Sequence, residues 1–187
     1  SGYFRDEGII VQQGGSYRNI AVSRDGVTLR VDRGGDLVEL NAERVLVATG
    51  RRPNTDGLGL KERGIRQESN GGIAVDDLMQ SSVAGIYAAG DVTGRDQFVY
   101  MAAYGAKLAA ENAVNGAARR YDATTMPSVV FTDPQVASVG LTEQAAMSKG
   151  LKVRTSLLPL EYLPRALAAR DTRGLIKLVA EAGTNRI

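Results

Sequence analysis

Residues Arg44 to Asn54 read RVLVATGRRPN, and residues Gly85 to Val92 read GIYAAGDV. In the first stretch Val45, Leu46, Val47 and Ala48 are apolar without alternation, so neither face of a strand built from them suits water. Such a strand is predicted to be central and covered on both sides. It runs into Thr49 and Gly50, and a small residue there lets a backbone approach a flat ligand closely, at the carboxyl edge where nucleotide-binding sheets take their ligands. Taken alone, Ala48-Thr49-Gly50 describes equally any strand that enters a turn. The second stretch is a short apolar strand closed by Gly90-Asp91. An ionised Asp there can accept two hydroxyl hydrogen bonds, as a ribose or polyol chain would offer, although an Asp after Gly also serves as a local turn or cap.

The residues that follow sharpen the pattern. From Gln97 to Asn115 (QFVYMAAYGAKLAAENAVN) the alanine content and the absence of proline predict a helix, ended by Gly116 as a left-handed cap. Its start at Gln97, Phe98 and Val99 offers free backbone N–H groups and the positive end of the helix dipole. That end suits developing negative charge, or else it meets only water. Met101, Tyr100, Tyr104 and Leu108 recur at helical spacing and are read as packing residues. Gly57, Gly59 and Gly64 do not form a phosphate loop, because no strand precedes them and their spacing is not G-x-G-x-x-G.

Upstream, Gly8 to Val11 and the alternating Val27, Leu29 and Val31, followed by Gly34-Gly35 and then Val38 and Leu40, predict short antiparallel strands. Pro53 fixes its own backbone and biases Arg52 away from the helical region, which places a boundary in RRPN. Ile73 to Val75 is a further short strand. Beyond Met126-Pro127 the pattern changes to strands at Val129 to Phe131 and Val136 to Val139 around an Asp133-Pro134 turn. A helix capped by Thr142 and stopped by Gly150 follows, then strands at Val153 to Leu158 and Leu175 to Val179. This last third is an α+β unit that begins a separate domain.

Composition sets outer limits. The 187 residues are 43% hydrophobic and 24% charged, which is ordinary for a folded globular chain. The net charge of +2 gives little support for nucleic-acid binding. No apolar run approaches the roughly 18 residues of a membrane span, and no signal-peptide pattern opens the chain, so a cytoplasmic setting is expected. The chain has no Cys and no His. It therefore carries no disulfide, thiol nucleophile, imidazole base or ordinary zinc ligand, and no catalytic or metal-binding residue is expected within it. Ser1 in place of an initiating Met, and Arg186-Ile187 set as if to begin a strand, suggest a piece of a longer polypeptide. Cut surfaces on such a piece predict poor solubility or nonspecific association.

RVLVATGRRPN, GIYAAGDV and then MPSVVFTDPQVASVGLTE, in that order and spacing, resemble the pyridine nucleotide-disulfide oxidoreductases, the superfamily of glutathione reductase and dihydrolipoamide dehydrogenase. The resemblance implies an α/β chain. A Rossmann-like, three-layer ββα binding fold for FAD and NAD(P) leads into an α+β dimerisation domain, and both are incomplete. Residues 1–51 would close the NAD(P)-binding domain, 52–122 supply the central FAD-binding portion, and 123–187 open the dimerisation domain. By position, Asp91 matches the acidic residue that holds the flavin ribityl chain, with Gly90 before it. Val99 matches the main-chain contact near the isoalloxazine, with Phe98 before it, and Gly50, after Thr49, matches a residue beside the nicotinamide nucleotide. Asp96 to Ala103 (DQFVYMAA) and Tyr162 to Val179 (YLPRALAARDTRGLIKLV) resemble the mercuric reductase branch.

That branch implies a homodimer using FAD and NADPH, with NADH as an alternative, to reduce Hg(II) to elemental mercury through cysteine pairs outside this chain. Soft thiolates suit that ion. A dihydrolipoamide dehydrogenase or another flavin disulfide reductase is the alternative within the class. A non-catalytic nucleotide-binding and dimerisation module is the alternative outside it, motivated by the missing Cys and His.

Overall fold

The structure is a computed structural model that describes residues 2–116 and 118–187; the expectation attached to Ser1 lies outside the described residues. Two compact units divide the chain, residues 1–50 and residues 51–187.

The first unit is built on one antiparallel sheet. After a short helix α1 (Gly2–Asp6), strands β1 (Ser16–Val22), β2 (Val27–Arg33) and β3 (Asp36–Ala42) pair in the order β1-β2-β3. The β2–β3 ladder runs in unbroken register from Val27 opposite Ala42 to Arg33 opposite Asp36. The two-residue connection that remains is Gly34-Gly35, with φ of 67° and 105°. Two consecutive positive φ values match the twist of the flanking strands and strongly favour glycine, which is why this hairpin was legible. The Asp32 carboxylate accepts from the Gly35 N–H at 2.9 Å and pairs with Arg18 across the ladder. The Arg18 guanidinium, and then that Gly35 amide, hold the Asp32 carboxyl below the usual carboxylate range.

Two expectations for this unit are corrected. Ile9 to Val11 forms no strand, and Ile10 is 83% exposed. The strand in front of β2 is instead β1, which lacks clean alternation and shifts register between Tyr17 and Asn19. Likewise Val45 to Ala48 makes no ladder, and Leu46 is 90% exposed. A strand apolar on both faces needs neighbours on its two edges and a layer over each side, and the first unit supplies neither among its described residues.

The buried clusters of the second unit lie at and beside helix α2 (Val99–Asn115). Met79 and Leu108, 1% and 2% exposed, meet Ala109 at its inner face, with Val75, Tyr87, Ala89, Tyr104 and Tyr121 around them. A neighbouring cluster joins Leu60, Ile65, Ile73 and Ala88, and Val75 packs against both clusters. Met101 is buried as expected, whereas Tyr100 is exposed at the helix surface, where its ring stacks on Phe98 and its hydroxyl donates to the Pro127 carbonyl. The strands expected at 73–75 and 85–89 reduce to the isolated bridges Gln67–Ile73, Val75–Ser81 and Gln80–Tyr87. Short, turn-punctuated segments here meet for one residue pair at a time and then diverge.

The last third follows its local signals. Strands β4 (Pro127–Val130) and β5 (Val136–Val139) pair antiparallel, as do β6 (Val153–Pro159) and β7 (Leu175–Glu181). Helix α3 (Glu143–Ser148) is capped by Thr142, whose hydroxyl accepts from the Ala145 N–H at 3.1 Å. An unforeseen helix α4 (Pro164–Ala169) has proline in its first turn and ends on Arg170 in the left-handed region. Arg186 and Ile187 belong to no strand; the Glu181 N–H closes a turn onto the Arg186 carbonyl at 2.8 Å.

Arg173 ties this region together. Its guanidinium holds Asp171 at 2.9 Å and Asp133 at 2.6 Å. The Arg173 side chain, and then its backbone N–H, lower the Asp171 carboxyl to about 2 from its ordinary 3.8. A depressed carboxylate contributes stability that is complete above the unfolded value and is lost as pH falls through the folded one. The stabilisation should thus fade between about pH 4 and pH 2, and salt should weaken it because the pair is exposed. Asp171→Asn is expected to flatten the fall in melting temperature across that window, read by thermal unfolding at about pH 5 and pH 2.5. Equal falls in parent and variant would remove Asp171 from the account.

Candidate functional site

In the second unit the chain passes from a 3-10 turn (Gly90–Thr93) to the start of α2. Gly90 has φ of 77°, and a Cβ built on it would lie 3.0 Å from the Ala102 Cβ. Both facts demand glycine, the first for backbone conformation and the second for close approach of the turn to the helix. The fully buried Thr93 locks the turn, its hydroxyl donating to the Gly90 carbonyl at 2.8 Å. Asp91 therefore sits on a rigid corner with its carboxylate outward, and it pairs with Arg51 at 2.8 Å. Both partners are well exposed, so the pair contributes little stability and leaves lone pairs for another donor.

The helix start faces the same corner in chain order. Its N-cap residue, Phe98, offers no side-chain acceptor to the first-turn amides. Val99, the first helical residue, is 85% exposed, and the Phe98 and Tyr100 rings stack at 5.3 Å. Beside them, the Gln97 Nε2 is buried without a hydrogen-bond partner. A buried unpaired amide is costly, so this donor fits a ligand that carries acceptors. An uncapped positive helix end, an orphan amide and a hydroxyl-accepting carboxylate together suit a group with a polar, electron-rich edge and a hydroxylated tail.

Of the residues predicted from sequence, the second unit brings Gly90, Asp91, Phe98 and Val99 onto one turn-to-helix junction. Thr49 and Gly50 lie in the first unit; both are exposed, and Gly50 has φ of 112°. Sequence reasoning named neither Gln97's orphan amide nor the Arg51 partner of Asp91. An Arg beginning RRPN carries no signal of which distant carboxylate it will meet.

Behind the junction lies an aromatic group. Tyr121 donates to the Asp96 Oδ2 at 2.9 Å, its ring lies 5.2 Å from that of Tyr104, and the Arg95 guanidinium stands 5.0 Å from its centre. Burial first, then the hydrogen bond to Asp96, push the Tyr121 phenol well above its ordinary value. It stays a protonated donor at any working pH. Among the described residues, no three Asp or Glu side chains converge as a metal-binding group, and no helix is long and apolar enough to cross a membrane.

A turn-to-helix junction followed by an α+β unit fits the plan of a flavin- and nicotinamide-binding reductase. The model of the pyridine nucleotide-disulphide oxidoreductases matches residues 1–114, and the model of their dimerisation domain matches residues 126–187. The chain belongs to the pyridine nucleotide-disulphide oxidoreductase family. Within it, the chain is similar to mercuric reductases: 46% identical to that of Shigella flexneri over 98% of this chain, and 42% identical to that of Lysinibacillus sphaericus over 97%. It spans only 32% and 33% of those relatives' lengths. Among solved structures, the HOCl-induced flavoprotein disulfide reductase RclA of Escherichia coli, as its Cu(II) complex, superposes with a TM-score of 0.87 at 28% identity. That match covers 98% of this chain and 41% of RclA. LpdA of Mycobacterium tuberculosis gives 0.85 at 28% identity, covering 98% and 39%. Membership implies FAD and a pyridine nucleotide as cofactors.

The rigidity of the corner is testable. Gly90→Ala should cost about 1–2 kcal/mol for the left-handed backbone, with more added by the contact to Ala102. Gly85→Ala, where the φ of 78° is similar but a Cβ meets nothing within 4 Å, isolates the backbone share. Denaturant midpoints of the two variants compare them. If they lose the same stability, the turn does not press on the helix.

Proposed function

We propose that this chain is an internal stretch of a flavoprotein of mercuric reductase type, which uses NADPH and FAD to reduce Hg(II) to elemental mercury. What carries the reading is the coincidence of 42–46% identity to mercuric reductases across nearly the whole chain with the orphan amide and uncapped helix start at residues 97–99. Residues 1–51 are assigned to the end of the NAD(P)-binding domain, 52–122 to the FAD-binding portion, and 123–187 to the start of the dimerisation domain of a homodimer. The solved flavoprotein neighbours, at 28% identity, favour the class but not another branch.

In this reading Asp91 accepts hydroxyl hydrogen bonds from the flavin's ribityl chain, and Gly90 keeps the corner close enough to the helix for it to do so. The Val99 amide, next to Phe98, donates at the pyrimidine edge of the isoalloxazine. The positive helix end favours added negative charge there, which is the electrostatic bias an electron-accepting site needs. Gly50, after Thr49, borders the nicotinamide nucleotide, where an absent side chain admits a flat ring. When bound, FAD would pass two electrons from the nicotinamide nucleotide to the disulfide of a cysteine pair or, once that pair is reduced, to Hg(II) held by its thiolates. The balance is NADPH and Hg(II) giving NADP+, a proton and elemental mercury. This chain's residues bind and orient; the thiolates that would hold the metal lie elsewhere in the protein.

The complete protein, purified, is expected to be yellow and to oxidise NADPH only when Hg(II) is supplied with excess thiol. Flavin absorbance with lipoamide-dependent but no mercury-dependent turnover would move it to the dihydrolipoamide dehydrogenase branch. A colourless protein would favour the non-catalytic module instead.

A further inference from the structure

The backbone bends at Asp96 before α2 begins. Its φ is 28°, a conformation that side-chain-bearing residues seldom adopt and that persists where the surroundings hold it. The Asp96 carbonyl accepts from the Phe98 N–H at 2.6 Å, so this bent residue sets where the helix starts. Its carboxylate is held in turn by the Tyr121 hydroxyl at 2.9 Å, from 25 positions further along the chain. The Tyr121 ring is fixed without that hydroxyl. Tyr104 and Arg95 flank it, and the Tyr121 N–H donates to the Asp77 carbonyl at 2.7 Å.

We propose that Tyr121 is a positioning residue for the flavin site: through Asp96 its hydroxyl fixes the origin of α2, and so the direction in which the uncapped first-turn amides meet the cofactor. This rests on the flavin reading above. The raised phenol keeps the donor proton in place at neutral pH, and the ring's independent anchorage means that loss of the hydroxyl should leave the packing standing. Without the hydroxyl, Asp96 can relax toward negative φ, and its peptide, on which the Phe98 amide rests, turns with it. A helix end aimed away from the cofactor stabilises added negative charge less well.

The test uses the complete flavoprotein, with the ratio of reduced to oxidised flavin read against a reference dye at fixed potential. Tyr121→Phe should lower that ratio about threefold, the scale of a helix-end charge interaction. Asp96→Ala should lower it to the same extent, and the double variant no further, while Asp96→Asn, which keeps an acceptor, should recover most of the loss. Additive losses, or a fall in melting temperature with an unmoved flavin ratio, overturn the proposal and leave Tyr121 a packing residue. If Tyr121→Phe does not fold, the Asp96 pair carries the same comparison. A colourless parent protein overturns the flavin reading and this proposal together, whereas a flavin-loaded parent whose variants are silent overturns this proposal alone.

Discussion

One buried side-chain amide, Asn112, holds the second unit's helix to what surrounds it. Its Nδ2 donates to the carbonyls of Leu78 and Arg119, and its Oδ1 accepts from the Arg119 N–H, all between 2.8 and 2.9 Å. At 6% exposure, the amide depends on these partners rather than on bulk water. An apolar residue of the same size would leave three backbone groups unmet, at about 1–3 kcal/mol each. Through this fork, α2 is tied both to the turn carrying Met79 and to the segment that turns back toward Tyr121.

The site's geometry follows from that arrangement. Met79 and Leu108 fill the space beneath the helix, Gly90 brings the Asp91 corner against Ala102, and Tyr104 and Tyr121 close the far side. The polar groups named for ligand contact are the ones the core leaves over: an exposed carboxylate, an uncapped helix end and an unpaired amide. Interiors rarely tolerate unpaired polar groups, and of these three the Gln97 amide is the one that is buried, so it is the strongest support for the proposed ligand site.

How much of this was visible in the sequence depended on the range of the signal. Helix α2, its Gly116 cap, the Gly34-Gly35 turn, the Thr142 cap and strands β4 to β7 all rest on cues a few residues apart, and all were legible. The family was legible too, because its motifs are short and ordered along the chain. The Val45 to Ala48 strand was misjudged because its apolar run indicates what it could pair with and not whether those partners are present. Strand β1 was missed because SYRNIAV alternates poorly and depends on β2 for its register. Helix α4 carried a fair signal in Pro164 at its start, but six residues give little periodicity to read. The Asp96–Tyr121 bond had no local signature at all, since only the folded core brings the two together.

The tight hairpin of the first unit has a consequence for how this sequence can vary. With Arg33 opposite Asp36, the loop has no slack. Since side chains alternate faces, a slip of one position would send Val38 and Leu40 to the opposite face of the sheet from the one they share with Val31 and Leu29. Single-residue insertions or deletions should therefore be rare at this tip among related chains. The longer connection from Ser23 to Gly26 should absorb length changes more readily, because a four-residue loop has more ways to be rebuilt between the same strand ends.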